Sequence, residues 1–203
     1  MIGFFGGSFD PVHYGHLINA SNVKKDLGLD SMYLMPCSTP VQKSTLKFSN
    51  KQRIEMLELA IKEFSDISID EREIIRNKTS YTIDSLTEIS DQKPSSTICL
   101  IIGMDCFVNL HTWKEYKEFY KYVHLIVIAR PNYTKLKDNL YSFEKCSHIS
   151  KLKDCASGLI YFYNSELLDI SSSDIRDKIQ KNKSLSGLIP KSIINYIKNL
   201  NET

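Results

Sequence analysis

A chain of 203 residues matches one domain with a small elaboration, at roughly 150 residues per domain, so residues 1–203 are expected to fold as a single domain. Hydrophobic residues at 42% and charged residues at 25% are ordinary globular values and exclude a disordered chain. The 26 Lys and Arg against 24 Asp and Glu leave a formal charge of +2 and no broad basic field, so nucleic acid is not an expected partner, whereas a small anion needs only a local site.

Residues 2–5 read as a buried strand, followed by glycines and a helical segment over about 13–27, with Gly28 where a helix C-cap belongs. Residues 32–35 form a second strand, stopped by Pro36. Ser49 with Gln52 makes a capping box, behind which Ile54, Leu57, Ile61 and Phe64 fall on one face at helical spacing. A short strand at 67–69 leads into a polar stretch, and 82–90 has a helical pattern. Residues 98–102 and 125–129 are unbroken apolar runs of the kind buried on both faces of a parallel sheet, with a helix expected between them at about 114–122. Residues 132–157 are polar and carry no assignable pattern. A further strand follows at 159–163, then two closing helices at 172–181 and 190–200, the second with Pro190 at its first position.

This alternation predicts a doubly wound parallel α/β sheet with helices on both faces and right-handed crossovers. Ligands in such folds sit beyond the carboxyl ends of the strands, so the informative residues are those just after each strand. The cysteines, Cys37, Cys99, Cys106, Cys146 and Cys155, are odd in number with no C-x-x-C pair, which predicts a reduced, cytoplasmic chain using Cys as a small hydrophobe. The first residues lack the basic n-region and apolar core of a signal peptide. The longest apolar runs fall far short of the ~20 residues a membrane helix needs, so no membrane partner is expected.

The loop after the first strand reads Gly6-Gly7-Ser8-Phe9-Asp10-Pro11-Val12-His13-Tyr14-Gly15-His16. It contains neither G-x-G-x-x-G nor G-x-x-x-x-G-K-[ST], yet it suits a polyanion. Gly6 and Gly7 allow close backbone approach, and the following helix presents free N–H groups and the positive end of its dipole. His13 and His16, three apart, project from one side of the first helical turn, and Gly15 between them leaves room for a bulky group. Both imidazoles can donate to phosphate oxygens, and protonation strengthens them as donors. A zinc site would need a third ligand of suitable spacing, and none is apparent.

This segment resembles the signature of the H-x-G-H nucleotidyltransferases, which share their histidine motif with class I aminoacyl-tRNA synthetases. A second signature of that superfamily, I-S-S-T-x-I-R, is similar to Ile170-Ser171-Ser172-Ser173-Asp174-Ile175-Arg176, with Ser173 in place of Thr and the hydroxyl kept. A serine cluster before a helix is ordinarily a cap; with Arg176 one turn in, it also makes an anion site of helix N–H groups, hydroxyls and a guanidinium. Residues 73–82, with Arg76 ahead of Ser80-Tyr81-Thr82, resemble the R-x-x-x-S-Y-T segment of bacterial nicotinate-nucleotide adenylyltransferases. Residues 101–105 with Thr112-Trp113, and residues 124–131, resemble their I-I-G-x-D…T-W and R-P stretches. The loop after the second strand departs from that family's P-x-x-x-P-P-H-K/R: Gln42 replaces the histidine, while Lys43 keeps the positive charge.

The resemblance implies a Rossmann-like sheet of the nucleotidyltransferase type, and transfer of AMP from ATP to nicotinic acid mononucleotide, giving deamido-NAD and pyrophosphate. His13, His16 and Arg176 would be catalytic. Gly6, Gly7, Ser8, Phe9, Lys43, Ser171, Ser172 and Ser173 would bind ATP and its phosphates. On the mononucleotide side, backbone N–H groups of Tyr81 and Thr82 would receive the nicotinate carboxylate, Trp113 would stack on the pyridine ring, and Asp105 would accept from ribose hydroxyls. Arg130 would line the site, and Asp10 is read as fixing the loop. Trp113 also has the plain reading of core packing, and Asp105 that of a helix cap. Mg2+ would arrive with ATP, with no dedicated metal site. Alternatives are another adenylyltransferase of the superfamily, acting on nicotinamide mononucleotide or phosphopantetheine, or a non-catalytic nucleotide-binding module. The oligomeric state is open and a homo-oligomer is compatible with the sequence.

Overall fold

The structure is a computed structural model describing residues 1–41, 45–129, 141–165 and 170–202. Its strands are β1 (Ile2–Gly7), β2 (Ser31–Pro36), β3 (Thr39–Pro40), β4 (Ser68–Ile69), β5 (Thr79–Ser80), β6 (Ile98–Gly103), β7 (His124–Ala129), β8 (Glu144–Lys145) and β9 (Leu159–Asn164). The α-helices are α1 (Tyr14–Leu27), α2 (Asn50–Ile61), α3 (Arg72–Arg76), α4 (Thr82–Gln92), α5 (Met104–Val108), α6 (Ser172–Gln180) and α7 (Lys191–Glu202). Seven strands form one sheet in the order β4-β2-β1-β6-β7-β9-β8, every neighbouring pair parallel. From β1 the chain winds outward to β2 and β4, then returns to β6 and winds the other way, so the switch in direction lies between β1 and β6.

Alternate residues of the apolar strands enter different cores, as the pleat requires. Phe5, Ile101 and Ile126 join Leu17 and Val23 of α1, Met56 and Leu57 of α2, Ile175 of α6 and Ile193 of α7 on one face. Phe4, Leu100, Leu125 and Val127 join Ile83, Leu86 and Ile89 of α4 and Phe107 of α5 on the other. Unbroken apolar runs at 98–102 and 125–129 follow directly from this two-sided burial. Among the described residues no helix is long and apolar enough to cross a membrane.

Several expectations hold at the level of single residues. Gly28 adopts the left-handed conformation (φ 61°) and its N–H reaches the Lys24 and Lys25 carbonyls, closing α1. Both halves of the Ser49–Gln52 capping box are present. Three expectations need correction. The buried face of α2 is Arg53, Met56, Leu57 and Ala60, whereas Ile54, Ile61 and Phe64 pack only at its margin; the helix is turned to bring the Arg53 guanidinium inward. The helix expected at 114–122 is a 3₁₀ helix confined to Tyr116–Lys121, because Trp113 is extended and Glu115 is left-handed (φ 51°), so no α-helix passes through them. Pro190 lies just outside α7, its carbonyl accepting from Ile193 and Ile194. Within 132–157, β8 adds a parallel edge strand to β9, and a 3₁₀ helix covers Ile149–Lys153.

A second, two-stranded sheet pairs β3 with β5, placing Thr39 beside Thr79 and Pro40 beside Ser80. With Ser38 N–H donating to Ser80 Oγ at 2.8 Å, it fastens the loop after β2 to the entry of α4.

Candidate active site

The carboxyl ends of β1, β2 and β6 open on a cavity of about 450 Å³, at the switch point where a doubly wound sheet binds its ligands. Gly6, Gly7 and Ser8 form one wall, Tyr81 and Thr82 another, and Trp113 with Lys114 a third. A Cβ on Gly6 would meet nothing within 4 Å, so its backbone is open to close approach by a ligand. A Cβ on Gly7 would stand 3.0 Å from the Phe9 ring. Tyr81 is the N-cap of α4 and offers no side-chain cap, which leaves the helix's leading N–H groups to be met by another acceptor. Trp113 is half-buried, packs edge-to-face on Phe119 at 6.2 Å, and buries its indole Nε1 without a hydrogen-bond partner among the described residues.

His13 and His16 come together as the spacing implied. Their rings stack with centroids 3.6 Å apart, His13 as the N-cap of α1 and His16 inside its first turn. His16 is backed edge-on by Phe9 at 5.0 Å and Phe5 at 6.0 Å. The space beside Gly15 is taken by His13 itself: a Cβ there would be 2.9 Å from its Nδ1. The absent side chain therefore makes room for the imidazole. Neither histidine is among the walls of the 450 Å³ cavity.

The two signatures meet in space. Ser172 Oγ donates to the Pro11 carbonyl at 3.0 Å, and Arg176 Nη1 donates to the Asp10 carbonyl at 2.8 Å while lying 3.5 Å from its carboxylate. Asp10 is almost fully buried and accepts backbone N–H from Lys47 and Phe48 at 3.0 and 2.9 Å. It fixes the loop, as expected. Ser171 is the N-cap of α6, accepting from Asp174 N, and Ser173 Oγ accepts from Arg176 Nη2 at 3.2 Å. Ser173 and Arg176 face a second cavity of about 400 Å³, whose far wall is residues 45–47.

Some expected site residues lie elsewhere. The Phe9 side chain is fully buried under His16, so only its backbone (φ 46°) can meet a phosphate. Asp105 is exposed in the first turn of α5, whose N-cap is Gly103, and it lines neither cavity. Its carboxylate would crowd any Cβ on Gly103 at 2.7 Å. Arg76 of the R-x-x-x-S-Y-T segment anchors α4, donating to Glu88 at 2.7 Å and Ser85 at 3.3 Å. Gln42, Lys43 and Arg130 lie outside the described residues.

Sequence reasoning missed two buried charges. Arg53 is fully buried and donates to the carbonyls of Ser8 at 2.7 Å, Cys37 at 2.6 Å and Ser38 at 3.3 Å, and to Asn50 Oδ1 at 2.7 Å, tying the loops after β1 and β2 together. Burial pushes its pKa down, though it stays a cation. Glu73 lies in the cavity wall, accepts from Ser85 Oγ at 2.7 Å, and burial holds its carboxyl above the usual range. Arg53 stands one position off the expected apolar stripe of α2, among Lys51, Glu55 and Glu58, so its charge alone gave no signal.

Residues 4–178 match the family model described as cytidylyltransferase-like, in keeping with the sheet and its switch-point cavity. Over 197 residues the chain is 52% identical to the "Probable nicotinate-nucleotide adenylyltransferase" of Vesicomyosocius okutanii, covering 97% of this chain and 93% of that one. It is 39% identical to the protein of that name from Psychromonas ingrahamii, over 97% and 94% of the two chains. Among solved structures, it is similar to Plasmodium falciparum nicotinic acid mononucleotide adenylyltransferase complexed with NaAD, with a TM-score of 0.76, 21% identity, and coverage of 98% and 95%. The chain belongs to the nicotinate-nucleotide adenylyltransferases, within the cytidylyltransferase-like fold family.

Proposed function

We propose that the chain transfers the adenylyl group of ATP to nicotinic acid mononucleotide. The 5′-phosphate oxygen of the mononucleotide attacks the α-phosphorus, the new O–P bond forms in line with the breaking bond to the β-phosphate bridge, and pyrophosphate leaves. The attacking phosphate is already ionised near neutrality, so catalysis rests on positioning two polyanions and stabilising the charge that develops. The observation that carries this is a single cavity running from the backbone of Gly6, Gly7 and Ser8 to the start of α4 and the Trp113 ring. The α4 end offers N–H donors suited to a carboxylate, and the indole face suits a pyridine ring.

On the nucleotide side, the stacked His13 and His16 would hold the reacting phosphates, and Arg176 with the α6 N-terminus would hold the departing pair. Magnesium, arriving with the ATP phosphates, would supply charge neutralisation there.

Pyrophosphate release tests this directly, with magnesium, ATP and each of nicotinic acid mononucleotide, nicotinamide mononucleotide and phosphopantetheine in turn. Release with the acid mononucleotide as the preferred acceptor is expected. Equal use of the amide would keep the chemistry and remove the preference for the acid, release with phosphopantetheine alone would reassign the acceptor, and silence with all three would leave a nucleotide-binding module.

A further inference from the structure

Backbone donors at the start of α4 suit a carboxylate, but they would bind an amide oxygen as well. Discrimination between the two calls for a charge. Lys114 is the one cation among the described residues of the cavity wall. Its Nζ sits 4.8 Å from the centroid of the Tyr81 ring, beside the α4 N-cap, and 3.2 Å from Asp84 Oδ1 in the first turn of the same helix. Glu115 Oε1 is a more distant 3.9 Å away. Asp84 does not itself line the cavity, but its negative charge in the first turn of α4 adjoins the Tyr81 end, and Lys114, which does line it, offsets that charge.

We infer that Lys114 is a specificity-determining residue, whose ammonium favours the acid over the amide mononucleotide at the Tyr81 end of the cavity, with Asp84 opposing it. This rests on reading that end as the nicotinate site, and it adds a side chain to a recognition otherwise made by backbone. Both side chains are about two-fifths exposed (42% and 41%), so solvent screens the field and the effect is moderate. The two residues form an ion pair, yet their effects on a bound carboxylate have opposite signs. That sign difference separates an electrostatic role from a structural one.

The test measures kcat/KM for the two mononucleotides on the native chain, K114Q, K114R and D84N, with equilibrium Kd values where turnover of the amide is too slow. K114Q is expected to lower the acid-to-amide ratio by about three- to tenfold, through KM for the acid, since an exposed charge pair is worth a fraction of its unscreened value. K114R should restore most of the ratio, D84N should raise it, and added salt should shrink the native preference. If K114Q changes both substrates equally, or D84N lowers the ratio, the inference is overturned while the proposed function stands. A native chain that does not turn over the acid mononucleotide overturns both.

Discussion

His16 illustrates how packing alone fixes the orientation of one side chain. Its ring is clamped between the stacked His13 imidazole and the edges of Phe5 and Phe9, so its orientation is set without a ligand. Removing one oriented donor to a transition state typically costs about 10²–10³ in rate. His16→Ala should therefore lose at least that much turnover while keeping its melting curve, and near-native kcat would remove His16 from the chemistry. Arg53 is the opposite case, a buried cation with no ligand to meet. Its guanidinium meets the Ser8, Cys37 and Ser38 carbonyls and the Asn50 amide oxygen, each of which is left without this donor in Arg53→Met. Such a loss should cost about 2–4 kcal/mol in urea unfolding, because buried acceptors lose a charged donor at once. Turnover should fall too, since Ser8 and Cys37 shape the cavity. The histidines were legible from three-residue spacing. Arg53 was not, because nothing in a helical stripe says which way a helix will roll when a guanidinium finds four acceptors.

At the scale of elements, the join between β7 and β9 carries a titratable fastening. His124 opens β7 fully buried; its Nδ1 accepts from Leu159 N–H at 3.1 Å, so the proton resides on Nε2, which donates to the Cys155 carbonyl at 3.0 Å. A second proton would have to displace Leu159 N–H. Burial holds the imidazole pKa below its ordinary 6.5. The unfolded chain therefore takes up a proton first as pH falls: the contribution to stability is complete above the unfolded value and is lost as pH drops from about 6.5 toward the lower folded value. Denaturant midpoints measured between pH 7.5 and 5 should fall more steeply for the native chain than for His124→Gln, and parallel curves would show that another group carries the dependence. The ends of α1 and α2 were legible, because caps are written in adjacent residues such as Gly28 and the Ser49–Gln52 pair. The break before the 3₁₀ helix at Tyr116–Lys121 was not. A left-handed Glu115 has no local signature, and the extended Trp113 backbone goes with its side chain's place in the cavity wall.

For the molecule as a whole, the site is a consequence of winding. Strands β1 and β6 are neighbours although some ninety residues separate them, and the reversal between them leaves a crevice that the β3–β5 pair and α4 then wall in. A ligand bridging those walls binds only the folded chain. At a hundred times its Kd it should stabilise by about 2.7 kcal/mol, which for about 200 residues raises Tm by roughly 5–10 °C. Nicotinic acid mononucleotide and a non-hydrolysable ATP analogue should each produce such a shift, and absence of any shift at saturating concentrations of both would count against a shared site. Alternating strands and helices, the G-G-S-F-D-P-V-H-Y-G-H loop and the I-S-S-S-D-I-R segment were enough to determine the parallel sheet and the family, because period, capping and glycine placement are local properties of a chain. Only the tertiary structure decided that Phe9 is core, that Asp105 stands outside both cavities, and that Arg176 and Ser172 hold the Asp10 and Pro11 carbonyls. It also brought Lys114 over the Tyr81 ring. These depend on how separately folded segments stack against each other, and the free energy that decides the stacking is spread over contacts between residues far apart in sequence.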